Sequence, residues 1–250
     1  MTKEIDSMNA PFWIEQGNPD VEFPQVSLAL TDPDGLLAIG GDLSQERLLS
    51  AYRSGIFPWY TQGQPVLWWS PDPRFVMFPE HLKISRNLRK TIRRQTYTVT
   101  MNTSFEAVIQ ACSNIVRPGQ DGTWITNEMQ QSYIELHEAG YAHSVEAWAE
   151  GQLVGGLYGI GIGKVFFGES MFSRKTDASK VAFACFVKHI QKLGFQLIDC
   201  QVYTSHLQSL GAELIPRKDF ILRLAALCST DNLLSKQPET LSADIFQPPA

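Results

Sequence analysis

The stretch SVEAWAEGQLVGGLYGIGIGKVFFGESMFS (144–173), with ASKVAFACFVKHIQKLG (178–194) and FQLIDCQV (195–202) behind it, decides the fold. The first segment is apolar and is broken by turn signals at Glu150-Gly151 and at Gly161 to Gly163, so it reads as strands joined by tight turns. The second has the length and composition of a helix and is closed by Gly194. The third reads as a strand. Beyond it, a short helix around HLQSLG and a last strand near DFILRL are expected. Upstream, from Tyr97, the pattern gives a strand (YTVTMN), a helix (SFEAVIQACSNI), a turn region reaching GTWI (122–125) and a second helix ending near Gly140.

Hairpin strands, helix, strand, helix, strand is the order expected of an acyl-transferring α/β (α+β) domain of the N-acetyltransferase kind. A fold does not give a function. N-terminal to this domain, the Pro, Asp and Gly of the first forty or so residues mark extended segments and turns. Asp42 then precedes LSQERLLSAYRSG. There Leu43, Leu48, Leu49 and Tyr52 recur at near-helical spacing, Asp42 and Gln45 suit a capping box, and Gly55 suits a C-terminus. In IFPWYTQGQPVLWWSPDPR four prolines exclude a helix and leave a structured loop between short strands. The expected division is a small N-terminal domain over 1–80, a catalytic domain over 81–228 that opens with a basic helix, and a loose tail over 229–250.

At 250 residues, with 44% hydrophobic and 19% charged side chains, the chain can bury a sizeable core. Its four cysteines, Cys112, Cys185, Cys200 and Cys228, form no CxxC pair. Its five histidines show no metal spacing and read as surface or hydrogen-bonded structural residues. No metal and no cofactor are expected. The absence of a long apolar run and the polar start argue for a cytoplasmic protein without a membrane partner, expected to be monomeric. Net charge is −5, yet residues 81–95 hold six basic side chains and no acid, which leaves −11 on the remainder. Arg86, Arg89, Lys90, Arg93 and Arg94 fall on one side of a helix, with Lys83 just before it and Ile84, Leu88 and Ile92 turned inward. Such a face is either solvated or docks on phosphates; like charges in a row repel, and a nucleic-acid backbone would relieve them.

Two places suggest chemistry. In LIDCQVY the strand period puts Asp199 and Gln201 on one face and Ile198, Cys200 and Val202 on the other. Two polar side chains on a buried strand need partners. They form either a structural hydrogen-bonded pair or the acceptor and amide of a site. Glu169, between glycine and serine on an apolar strand, needs a cation from within the fold or from a substrate. Trp59, Trp68 and Trp69 read as core or as rings at a cleft edge.

WWSPDPR (68–74), GTWI (122–125), HSVE (143–146), LVGGLYG (153–159), FGESMFSR (167–174), ASK (178–180), LIDCQV (197–202) and SLGAELIPRKDF (209–220) resemble the leucyl/phenylalanyl-tRNA–protein transferases in the family's order, from about Val26 to Leu224. The resemblance implies a small N-terminal domain and a C-terminal domain similar to the N-acetyltransferase (GNAT-like) fold, with the active site between them. It implies transfer of Leu, Phe or, less well, Met from aminoacyl-tRNA to proteins with N-terminal Lys or Arg, which marks the product for degradation. The donor ester is already activated, so positioning and proton transfer carry the reaction. Asp199 is then expected to accept the amine proton, directly or by relay, and to orient Gln201. Gln201 would hydrogen-bond the amine or the tetrahedral centre, and Glu169 would hold the basic acceptor residue. The same resemblance gives Leu157, Phe166, Met171, Phe183, Phe186 and Ile198 as pocket walls, Trp59 and Trp124 near the terminal adenosine, and Lys83, Arg86, Arg89, Lys90, Arg93 and Arg94 as tRNA contacts.

Three rivals remain at this stage. An acetyl-CoA-dependent enzyme would need a glycine-bearing pyrophosphate loop where SRKTDASK stands. A cell-wall aminoacyl transferase would share the donor but not these motifs. An RNA-binding protein without catalysis would leave Glu169, Asp199 and Gln201 without a task.

Overall fold

The computed structural model describes residues 10–17, 22–115, 123–229, 233–242 and 246. In chain order its elements are β1 (Phe12–Ile14), β2 (Leu36–Gly40), α1 (Gln45–Arg53), β3 (Phe57–Pro58), β4 (Leu67–Trp69), β5 (Arg74–Met77), α2 (Arg86–Arg93), β6 (Thr98–Met101), α3 (Phe105–Ser113) and α4 (Asn127–Glu138). They continue with β7 (Ala142–Ala149), β8 (Gln152–Ile162), β9 (Val165–Ser173), α5 (Ala178–Lys192), β10 (Leu197–Gln201), α6 (Ser205–Ser209), β11 (Glu213–Ile215), α7 (Arg217–Leu227) and β12 (Glu239–Leu241). An eight-stranded sheet has the order β11-β5-β10-β9-β8-β7-β6-β12, and a four-stranded sheet the order β1-β2-β4-β3.

The large sheet is built around the antiparallel run β7, β8, β9. After β9 the chain crosses over through α5 and returns as β10, parallel to β9, with Ile198 opposite Phe166 and Asp199 opposite Phe167. Parallel neighbours require such a crossover. Gly155 of β8 explains how α5 lies down on the sheet: a Cβ there would stand 2.7 Å from the Ala178 Cβ and 3.0 Å from the Ser179 nitrogen. Both faces of the sheet are covered. Phe166 turns to the α5 side, its ring 4.5 Å from that of Phe186, while Phe167 turns to the other side, its ring 5.1 Å from that of Tyr52 in α1. Burial on both faces is why β8 and β9 read as continuous apolar runs rather than alternating ones.

The small sheet shares its core with the large one, because Ile14, Leu37 and Trp68 join Phe105, Tyr133 and Phe167 in one cluster. The large sheet also begins earlier than residue 81, since β5 pairs with β10 and β11. Three further expectations are corrected. DFILRL is helical, in α7: Pro216 stands at its N-cap, and Phe220 and Leu224, four apart, are buried. The strand precedes it, at Glu213–Ile215. Asp42 forms no capping box; it accepts from the Ser44 N–H and sits 3.6 Å from Arg47, and the helix starts at Gln45. The tail is not loose throughout, because β12 adds to the edge of β6 and buries Leu241, while Leu234 is buried nearby.

Candidate active site

A cavity of about 570 Å³ opens where the segment Phe57–Trp59 meets the middle of β8 and the C-terminal parts of β9 and β10. Seven of the eight expected pocket residues line it: Trp59, Trp124, Leu157, Phe166, Met171, Phe183 and Ile198. Phe186 does not. It lies fully buried behind Phe166 and packs edge-on against that ring. The tryptophans divide as both readings allowed. Trp68 is core, whereas Trp59 is half-buried at the cavity and braced by Trp69, whose indole N–H donates to the Trp59 carbonyl at 2.7 Å. His206, read from sequence as surface or structural, also lines the cavity.

At the polar end of the cavity stand Glu169, Asp199 and Gln201. Period two brings Asp199 and Gln201 to one side, but a bulge between them interrupts the alternation, and Gln201 takes a left-handed φ of 62°. The chain leaves the ladder there. The freed Gln201 N–H donates to Asp199 Oδ1 at 2.9 Å. Asp199 has no exposed surface and is gripped by the fork of Arg74, with Nε to Oδ1 at 2.8 Å and Nη2 to Oδ2 at 2.7 Å. The rings of Phe57 and Phe220 each lie 4.7 Å from the Arg74 guanidinium carbon. Bidentate geometry with aromatic faces is how a guanidinium is held away from water.

Glu169 is buried differently. It is 8% exposed and among the described residues meets only neutral donors: Tyr52 Oη at 2.8 Å, Tyr133 Oη at 2.9 Å and Gln201 Nε2 at 2.8 Å. The two tyrosine hydroxyls also touch each other. Burial pushes the Glu169 carboxyl up to about 7; the three donors partly offset this, and the charge of Asp199 adds to it. Burial also holds both tyrosines well above the ordinary phenol range, so they stay protonated donors. The Gln201 carbonyl oxygen makes no hydrogen bond to any described residue.

Sequence reading missed Tyr52, Tyr133 and Arg74 as members of this site. Tyr52 was one more apolar position on α1 and Tyr133 one more on α4. Arg74 did carry a signal, since an arginine opening the apolar strand RFVM needs a buried anion. The basic residues sit elsewhere: Lys83, Arg86, Arg89, Lys90, Arg93 and Arg94 are all exposed, on and beside α2, and none forms an ion pair among the described residues. Leu88 and Ile92 anchor that helix to the α5 side of the sheet.

A family model described as leucyl/phenylalanyl-tRNA protein transferase matches residues 76–225, and one for the N-terminal domain of that family matches 41–72. Curated relatives named leucyl/phenylalanyl-tRNA–protein transferase include that of Aromatoleum aromaticum, 61% identical over 209 residues and covering 84% of this chain and 87% of its own. That of Stutzerimonas stutzeri is 57% identical over 85% of this chain and 93% of its own. That of Hydrogenovibrio crunogenus is 51% identical over 96% and 92%. Among solved structures, L-PGS from Bacillus licheniformis aligns over 69% of this chain and 57% of its own at 12% identity and a TM-score of 0.40, too distant to bear on function.

Proposed function

The chain belongs to the leucyl/phenylalanyl-tRNA protein transferase family, and from that membership we propose which of its side chains carry each part of the reaction. It is an aminoacyltransferase that moves Leu or Phe from aminoacyl-tRNA to protein N-termini. The observation that carries the residue-level reading is a buried carboxyl, Glu169, with no cation partner among the described residues, at the polar end of an apolar cavity.

The apolar walls take the Leu or Phe side chain, and less well that of Met, by shape and burial. The aminoacyl ester then lies with its terminal adenosine at Trp59 and Trp124. In the reaction the neutral acceptor amine attacks the ester carbon, a C–N bond forms, the C–O bond to the ribose breaks, and the proton lost by the amine ends on the departing ribose oxygen. The free Gln201 carbonyl accepts from the attacking amine and so points its lone pair at the carbon. Asp199 acts on Gln201 by holding its backbone N–H. With both oxygens on Arg74 and no exposed surface, Asp199 is supported as a positioning residue more than as the direct proton acceptor.

Glu169 receives the positive charge of an N-terminal Lys or Arg. Tyr52 and Tyr133 both donate to Glu169 and touch each other, so the carboxyl is held in one place facing the cavity. Burial raises the carboxyl to about 7, so a large share of it is neutral at that pH, and an arriving cation favours the charged form, as an opposite charge at close range does. The exposed face of α2 docks the acceptor stem through phosphates. The antiparallel run, crossover helix and parallel return of the large sheet support a GNAT-like catalytic fold, and dependence on charged tRNA supports a cytoplasmic place of action.

The test is transfer of labelled Phe from Phe-tRNA to peptides that begin with Arg, acetyl-Arg or Ala. Label on the free Arg peptide alone is expected. Equal label on Arg and Ala peptides would remove the role given to Glu169.

A further inference from the structure

A second cavity, of about 400 Å³, is lined by residues next in sequence to those of the first, and among the described residues its lining is mostly hydrogen-bonding and uncharged. Thr61 and Gln62 come from the loop between β3 and β4, Asn114 from the C-cap of α3, Thr123 from just before α4, and Asn127 and Gln130 from α4 itself. The two cavities share three segments of chain. Trp59, Ile115 and Trp124 line the apolar one, while Thr61, Asn114 and Thr123, one or two residues away, line the polar one. A chain leaving the apolar cavity past the two tryptophans therefore enters a space walled by amides and hydroxyls. The side-chain amides of Gln62, Asn114 and Asn127 are exposed there and make no hydrogen bond to any described residue.

We infer that this polar cavity binds the base and ribose of the nucleotide that precedes the terminal adenosine of the donor, a cytidine in the CCA end of tRNA. The inference rests on the transferase reading above. A single-stranded RNA end presents bases free to be read along their edges, and a primary amide offers a donor and an acceptor side by side to such an edge. Phosphates are held by Arg and Lys, and among the described residues this lining has neither, which favours the nucleoside as guest with the phosphate at the rim. Ribose hydroxyls both donate and accept and suit Thr61 and Thr123.

Three Phe donors test this: Phe-adenosine, the Phe ester of the dinucleotide CpA, and that dinucleotide without the cytosine base. Two direct hydrogen bonds predict that CpA exceeds adenosine in kcat/KM by about tenfold or more, and that the abasic dinucleotide gives back most of the gain. In Gln62→Ala and Asn127→Ala the ratio of CpA to adenosine falls severalfold. Equal use of all three donors by the unmodified protein would overturn the site, as would variants that slow every donor in proportion. If even intact Phe-tRNA gives no transfer, the transferase reading itself fails, a result distinct from the first two.

Discussion

Two buried carboxylates on neighbouring strands live in opposite surroundings. Asp199 on β10 is neutralised by Arg74 within the fold, between the rings of Phe57 and Phe220. Glu169 on β9 faces three neutral donors and an open cavity. The first is neutralised within the fold; the second has no cation partner among the described residues and opens to the cavity. A third acid separates the two lessons. Glu146 on β7 is fully buried and also meets only neutral donors, the hydroxyls of Ser144 and Thr100 and the Ser104 N–H, but it does not line the cavity and serves to tie β6, β7 and α3 together. A missing cation matters where a substrate can supply one.

The largest expected effect comes from breaking the complete pair. Arg74→Met leaves Asp199 buried and unpaired, which should cost about 3–5 kcal/mol in denaturant unfolding. The double variant Arg74→Met with Asp199→Leu should regain most of it, since an apolar pair of similar volume often replaces a buried ion pair without loss. Recovery of stability without recovery of transfer would show that Asp199 serves the reaction beyond holding the fold.

Glu169→Gln comes next, and its signature is pH. With the folded carboxyl near 7 and its ordinary value near 4.5, the native state holds a proton that the unfolded state has released between those values. Stability contributed by the neutral form is fully present below about 4.5 and is lost as pH rises through about 7. The loss at pH 8 is on the order of 3 kcal/mol, and Glu169→Gln should not show it. In transfer to an Arg peptide the same variant should lower kcat/KM by about a hundredfold, the order expected when a charge-assisted hydrogen bond is lost. A smaller effect is expected from Tyr133→Phe. Its hydroxyl lowers the carboxyl, so removal should move the midpoint of the pH profile of kcat/KM to higher pH. A shift to lower pH would contradict the sign. The smallest effect on chemistry belongs to Arg89→Glu with Arg93→Glu, remote from both acids in role. Affinity for tRNA should fall and its salt dependence flatten by about one unit of slope per lost contact, with kcat little changed.

Much of the catalytic domain could be read in advance because its signals are local. Apolar runs with Gly turns announced β7 to β9, Gly194 announced the end of α5, and the spacing of Arg86 to Arg94 announced α2. What escaped was decided by distant partners. DFILRL has no preference that separates helix from strand; the cover it gives to Arg74 through Phe220 settles it as helix. β12 exists because β6 offers an edge. The bulge at Gln201 depends on a carboxylate two residues back that is itself fixed by an arginine 125 positions away in sequence. Glu169, Asp199 and Gln201 were visible as polar residues on apolar strands, but the tyrosines that define the surroundings of Glu169 were indistinguishable from core.

The most direct measurement compares two peptides that differ at one N-terminal side chain, arginine against its uncharged isostere citrulline, in the unmodified protein and in Glu169→Gln. A large preference for arginine is expected in the first and a preference reduced to a few-fold in the second. An arginine preference that Glu169→Gln leaves intact would contradict the role given to Glu169.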